Sequence, residues 1–285
     1  MGRLGGFLRL IRPVNCLMAG FAVLVGASLG GWRVFNPGLR VNLLLGFVTS
    51  FTLTGASMAI NDFYDVNIDA VDKPDRPIPS GALSPREALS LALVLTVIGF
   101  VTALRTSGRC LVVAVAAWAV FVAYSAGGKR TGLPGNALVS GCVATPFVYG
   151  NLAVGWELES TAALFAAVAF LSNMGREVTK GIVDVEGDRA GNVRTVAVRR
   201  GERAAASVAS VFYLSAVGLS LLPWRWGLVS PWFLPPVALA DAGFVLSTLL
   251  LLRDPSREGA KRVKTQVLAW MTLGMTAFVA GTLGP

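Results

Sequence analysis

The sequence predicts an all-α, polytopic membrane protein of about nine transmembrane helices, and three observations lead there. Of the 285 residues, 54% are apolar and only 14% charged, which gives a mean hydropathy of +0.64, well above that of a soluble domain. Apolar runs close to the roughly 20 residues needed to cross a hydrocarbon core recur from end to end and leave no room for a large soluble domain. The basic residues, finally, sort by side.

In chain order the runs cover residues 13–31, 41–60, 88–104, 110–127, 133–153, 161–174, 204–222, 232–252 and 267–283. The first lacks a small-residue cleavage site behind a short apolar core and has further spans after it. It is therefore expected to be a retained helix and not a signal peptide, with the fold starting near Met1 and residues 1–285 forming one transmembrane domain. With nine spans, the N-terminus and the even-numbered loops share a face. That face carries every Lys and Arg except Arg33, Arg40, Arg105, Arg109 and Arg225. Such asymmetry places the N-terminus in the cytoplasm and the C-terminus outside the cell membrane. The net charge of +9 thus reports topology and does not call for a nucleic-acid partner. Cys16, Cys110 and Cys142 lie singly in apolar segments, as packing residues do. The absence of histidine removes the commonest zinc ligand and the commonest general base at neutral pH.

Acids are costly near a membrane, so their placement is informative. Asp62, Asp65, Asp69, Asp72, Asp75 and Glu87 follow the second run, and Glu177, Asp184, Glu186, Asp188 and Glu202 follow the sixth. In N-D-F-Y-D-V-N-I-D, residues Asn61, Asp65 and Asp69 are spaced by four, which puts them on one face of a continuing helix. D-V-E-G-D repeats the arrangement with Asp184 and Asp188. A single such pair would be read as a solvated helix end with ion pairs to nearby bases. Two pairs at equivalent helix ends suggest a compensating cation, because like charges one turn apart repel. Magnesium suits an all-oxygen site with positions left for phosphate. Asp241 stands alone inside an apolar run, open to a functional or a hydrogen-bonded packing role.

Bases interleave with these acids. Lys73 and Arg76 lie in K-P-D-R-P-I-P-S-G, whose prolines stop the helix. Lys129 and Arg130 follow Tyr124 in Y-S-A-G-G-K-R, and Arg176 and Lys180 lie one turn apart on the sixth run. As topology determinants they need no further role, and that account suffices for Arg199, Arg200 and the bases at 253–264. Arg76, Lys129 and Lys180 lie beside the carboxylates and are candidate donors to a diphosphate. The recurrence of a long helix, an acid motif and a basic loop hints at an internal four-helix repeat.

These residues resemble the UbiA superfamily of intramembrane prenyltransferases. The resemblance rests on N-D-x-x-D-x-x-x-D at 61–69, R-P-I-P-S-G at 76–81, Y-S followed by K-R at 124–130, and R-E-x-x-K-x-x-x-D-x-x-G-D at 176–188, with R-P-V-N at 12–15 like the family's first-helix entry. The unbroken first motif looks most like the branch of archaeal digeranylgeranylglyceryl phosphate synthases, with chlorophyll synthases close behind. Gly181 departs from an aspartate found in many relatives, and Ala197 from a frequent proline. The resemblance implies helices around a central cavity and a magnesium-dependent transfer of a prenyl group from its diphosphate to geranylgeranylglyceryl phosphate, or alternatively to an aromatic or chlorophyllide acceptor. It implies Mg2+ held by Asn61, Asp65, Asp69, Asp184 and Asp188, substrate contacts from Asn15, Arg76, Lys129, Arg130 and Lys180, and Tyr124 at the reacting centre. Arg12, Asn15 and Arg76 are then candidates for the acceptor's own phosphate. The partners are a prenyl diphosphate, a lipid-like or aromatic acceptor and membrane lipid, with no nucleic acid. An ion-coupled transporter is the competing class, but its acids belong near the midplane in broken helices.

Overall fold

The computed structural model describes residues 3–31, 36–155 and 157–283, the side chains at 68, 71 and 72 excepted. Arg33 and the Asp72 side chain, counted above among the bases and acids, therefore lie outside the described residues. Within them every regular element is helical: α1 (Arg3–Ile11), α2 (Pro13–Ser28), α3 (Arg40–Tyr64), α4 (Val66–Asp72), α5 (Pro85–Thr106), α6 (Gly108–Ala126), α7 (Leu133–Val154), α8 (Ser160–Val183), α9 (Val185–Ala190), α10 (Val196–Arg200), α11 (Glu202–Ser220), α12 (Leu222–Arg225), α13 (Leu234–Arg253) and α14 (Arg257–Leu283).

Among the described residues α3, α5, α6, α7, α11, α13 and α14 are long and apolar enough to cross a membrane, and α1 with α2 forms an eighth span bent by 41°. The bend falls at Arg12, which adopts a left-handed φ of 51°, uncommon for a residue with a side chain. Sequence reading missed α1. The sixth expected span corresponds to α8. It has 24 residues, yet its last turns carry Arg176, Glu177 and Lys180, so it fails the apolar criterion that the other spans meet. By length and apolar composition the described residues thus hold seven spans, or eight with the bent pair, and the expected nine is not reached by that measure. Protein surrounds α8 in place of lipid, since it packs between α7, α11 and α14.

Successive helices are mostly spatial neighbours: α2 lies on α3 and α7, α3 on α5, and α11 on both α8 and α13, whereas α14 and α2 barely touch. Apolar side chains such as Leu93, Val97 and Val101 of α5 and Val112 of α6 are exposed, as a lipid-facing surface requires. Inside, several hydroxyls find partners: the Tyr149 hydroxyl donates to Thr49 Oγ1 at 3.2 Å, and Asn173 Nδ2 donates to Ser140 Oγ at 3.0 Å. Small residues set the closest approach, as in membrane bundles generally. A Cβ on Gly150 of α7 would stand 1.9 Å from the Val23 carbonyl oxygen of α2, and one on Gly26 of α2 would stand 2.2 Å from that of Phe147.

The bundle encloses a cavity of about 570 Å³ whose walls include Ser57, Trp118, Tyr149, Phe165, Phe244 and Met271. Met18 and Phe21 of α2 and Leu268 of α14 line it and are also exposed, so it opens sideways where these two helices part. Asp241 stands in its wall and accepts a hydrogen bond from Ser220 Oγ at 2.8 Å.

The α2–α7 contact generates a stability prediction. Gly150→Ala should lower the midpoint of thermal unfolding in detergent, with a cost of about 1–3 kcal/mol from overpacking. Gly141→Ala on the same helix, where an added Cβ meets nothing within 4 Å, should leave the midpoint unchanged or slightly raised. Equal midpoints for the two variants would contradict the packing described.

Candidate functional site

Both acid motifs sit at the same kind of bend. Asp65 separates α3 from α4 with φ −92° and ψ 2°, and Asp184 separates α8 from α9 with φ −101° and ψ 14°. The ladder runs through each bend: Asp65 N donates to Asn61 O at 3.0 Å and Asp69 N to Asp65 O at 2.8 Å, while Asp184 N donates to Lys180 O at 3.0 Å and Asp188 N to Asp184 O at 2.8 Å. Hydrogen bonding therefore continues through each bend, and each pair of aspartates keeps its one-turn spacing.

Bases from remote parts of the chain hold the first motif. Lys129 Nζ pairs with Asp65 Oδ1, whose other oxygen accepts from Asn61 Nδ2 at 3.0 Å. Arg76 Nη1 pairs with Asp69 Oδ2 and lies 3.2 Å from Asp62 Oδ1. Arg12 Nη2 meets that same Asp62 oxygen at 2.5 Å. Asp62 and Asp69 are buried.

A short 3-10 turn, Gly128–Thr131, joins the two motifs. Lys129 reaches the first, and the Arg130 carbonyl accepts from Arg194 N at 3.0 Å in the loop after the second. Gly132 closes this turn with φ 79°, and a Cβ there would lie 2.1 Å from the Arg194 carbonyl oxygen. Both the positive φ and the approach require glycine. The loop folds back on α9, where Val193 N donates to Asp188 O at 2.8 Å. Gly181 allows Thr195 to pack against α8, since a Cβ would come within 3.3 Å of the Thr195 Cβ. An aspartate at 181 would have to displace it.

The second motif is less compensated. Among the described residues no ion pair reaches Asp184, which is exposed, or the half-buried Asp188. Burial first, and then neighbouring Asp184, raise the Asp188 carboxyl from 3.8 to about 6 against the opposing influence of Lys180 and Thr195. Lys180 Nζ and Arg176 Nη1 lie 3.5 and 3.4 Å from the Glu177 carboxylate. Tyr124, at the end of α6, is within electrostatic reach of Lys180, Glu177 and Asp188.

Of the residues singled out in the sequence, Asn61, Asp65, Asp69, Arg76 and Lys129 come together, and Tyr124, Lys180, Asp184 and Asp188 form a second group. Asn15, in the first turn of α2, lines the cavity beside Met58, whose sulfur accepts from Arg12 Nη1 at 3.2 Å. The Arg130 side chain is exposed, and its backbone makes the connection described. One expectation is not met as stated: among the described residues no three acids converge closely enough to hold a metal ion, because Asp65 and Asp69 turn toward Lys129 and Arg76. The donors still fit a hard divalent cation in kind, since all are oxygens and Asp188 stands beside an unneutralised Asp184. Asp62 and Glu177 were missed as site residues, and Arg12 was singled out only for the acceptor's phosphate, not as the partner of Asp62. Asp62 lies roughly 100° around the helix from Asn61, off the face on which the spacing argument rested.

Comparisons with known proteins place the chain among relatives of one family. Residues 19–279 match the UbiA prenyltransferase family. The digeranylgeranylglyceryl phosphate synthase of Archaeoglobus fulgidus is 37% identical over 280 residues, which cover 95% of this chain and 93% of the relative. A structure solved to explain digeranylgeranylglyceryl phosphate synthase in membranes superimposes with a TM-score of 0.87 at 28% identity, over 100% of both chains. A UbiA homolog from Archaeoglobus fulgidus bound to GPP and Mg2+ shares the fold, with a TM-score of 0.70 at 18% identity over 96% of this chain and 99% of the other.

The raised Asp188 carboxyl has a consequence for stability. A carboxyl raised in the folded chain favours folding most when protonated, so its contribution is complete below about 4 and is lost as the pH climbs through about 6. Metal-free Asp188→Asn should therefore unfold at a higher temperature than the parent at pH 7.5 and at the same temperature near pH 4. Scanning fluorimetry with a chelator present measures this, and a difference independent of pH would rule out the cause given.

Proposed function

The chain belongs to the UbiA prenyltransferase family and is a prenyltransferase, and we propose that it transfers a geranylgeranyl group from its diphosphate to the free hydroxyl of geranylgeranylglyceryl phosphate, forming the second ether bond of an archaeal lipid core. The observation that carries this is an apolar cavity of about 570 Å³ beside a mouth where carboxylates and bases alternate. An apolar cavity of about 150 Å³ accepts the six carbons of benzene, so this one suits roughly twenty carbons in all, the size of a single geranylgeranyl tail. The acceptor's own tail then lies in lipid, reached through the gap between α2 and α14. The named relatives favour this acceptor over an aromatic or chlorophyllide one. The uneven distribution of bases supports a cytoplasmic N-terminus and mouth.

Asn61, Asp65, Asp69, Asp184 and Asp188 would hold Mg2+, as the fold relative bound to GPP and Mg2+ suggests. When bound, the metal neutralises charge on the departing diphosphate. The protein's own part is separate. Arg76, Lys129 and Lys180 donate to the diphosphate oxygens as the allylic carbon–oxygen bond breaks, and each is already held near the place by a carboxylate. Tyr124 closes the mouth over the first carbons of the tail, where its ring can face developing positive charge. The acceptor hydroxyl attacks the allylic carbon and passes its proton to the departing diphosphate, while Asn15 and Arg12 lie where the acceptor's phosphate would rest. The apolar walls keep water from competing for the same carbon. A transporter would need its acids along a polar path, whereas among the described residues Asp241 is the one acid in the wall of this cavity.

With Mg2+ and radiolabelled geranylgeranyl diphosphate, the purified protein should form product with geranylgeranylglyceryl phosphate and none with a chlorophyllide or 4-hydroxybenzoate. Product from another acceptor would move the protein to that branch. Asp65→Ala and Asp184→Ala should each reduce turnover at least a hundredfold while the protein remains folded in detergent. Wild-type turnover in either would refute the site.

A further inference from the structure

Asp62 is the most buried acid at the mouth, with a side chain only 3% exposed, and the chemistry above gives it no role. It lies off the Asn61 and Asp65 face, beneath two guanidiniums. One of its oxygens receives both Arg12 Nη2 at 2.5 Å and Arg76 Nη1 at 3.2 Å, which a carboxylate oxygen with two lone pairs can accept. The same Arg76 nitrogen pairs with Asp69. Arg76 is thus shared between an outward acid and an inward one.

We propose that Asp62 is a positioning residue that keeps Arg76 and Arg12 at the mouth of the site when a divalent cation draws the Asp69 carboxylate away. This rests on the site proposed above. A cation on Asp69 competes with Arg76 for the charge and lone pairs of that carboxylate and weakens their pairing, whereas Asp62 is covered by its two arginines and stays with them. Turn hydrogen bonds fix only the backbone of Arg76: its N–H donates to Lys73 O at 3.0 Å and its carbonyl accepts from Ser80 N at 2.9 Å. Its long side chain would lose its remaining anchor if Asp62 were neutral. Asp62 also ties Arg12, the residue with left-handed backbone at the break between α1 and α2, so the first helix is secured to the same point.

The test measures binding of a non-hydrolysable geranylgeranyl thiodiphosphate to the full chain in detergent by calorimetry, with chelator and with Mg2+. In chelator Asp69 still holds Arg76, so Asp62→Asn should bind within about twofold of the parent; in Mg2+ it should bind about tenfold more weakly. The Mg2+ concentration giving half-maximal turnover should move less than twofold, and Asp62→Asn combined with Arg76→Ala should bind no more weakly than Arg76→Ala alone. An equal loss with and without Mg2+ would make Asp62 merely structural, and a large shift in Mg2+ requirement would make it a ligand; either overturns the proposal. Asp69→Asn separates the two layers, because its failure to alter the Mg2+ requirement would refute the site itself. If Asp62→Asn does not fold, Asp62→Glu carries the test: the longer arm shifts Arg76 and should raise the KM for the diphosphate with the Mg2+ requirement unchanged, and an unchanged KM would overturn the role.

Discussion

Charge at the edge of a low-dielectric bundle has to be compensated, and that requirement organises the structure around α3. Asp62, Asp65 and Asp69 fall within two turns at the end of a long apolar helix, where an unpaired carboxylate is expensive. Each is met by a cation from a different part of the chain: Arg12 from the break between α1 and α2, Arg76 from the proline-rich loop, and Lys129 from the turn after α6. Three otherwise independent segments are thereby fixed to one helix end. Breaking a buried pair strands its partner and costs about 3–5 kcal/mol, so these contacts carry both the architecture and the pre-arranged charge of the mouth.

The second motif is built differently, and the difference divides the labour. Asp184 and Asp188 have the same bend and spacing as Asp65 and Asp69, which agrees with an internal repeat, but no ion pair among the described residues neutralises them, while Lys180 is turned to Glu177. Burial and, after it, repulsion from Asp184 raise the Asp188 carboxyl, which makes this pair a place where added positive charge is favourable. The first motif supplies bases already in position, and the second supplies uncompensated negative charge. The turn carrying Lys129 and Arg130 holds the two at a fixed separation.

Much of this was legible in the sequence because the membrane restricts what a chain can do. Runs of apolar residues gave the helices, and the four-residue spacing gave the paired carboxylates, both of which depend only on local periodicity. The bends at Asp65 and Asp184 were not legible, since nothing in N-D-F-Y-D or D-V-E-G-D differs from a continuous helix. Nor were the partners: Arg12 and Asp62 are fifty residues apart, and only the packing of α2 on α3 unites them. Arg130 was singled out for its charge, whereas its backbone carbonyl makes the connection the structure reveals. The convergence of all five expected ligands failed for a related reason, because spacing counts acids but does not show which already have a cation.

The count of spans follows from the same physics. α8 is long enough to cross, yet it is the helix that composition rejects, and it is also the one carrying Arg176, Glu177, Lys180 and, at its end, Asp184. A helix whose last turns bear such residues gains from being covered by protein, and α7, α11 and α14 cover it. Those neighbours can approach because small residues such as Gly175 admit a bulky partner, here the ring of Tyr213, whose hydroxyl in turn hydrogen-bonds Thr179 at 2.9 Å. The polarity that makes α8 look least like a membrane helix is therefore tolerated because protein covers it, and the same helix lines the cavity with Phe165, Ala169 and Ser172 before ending in the charged residues of the second motif.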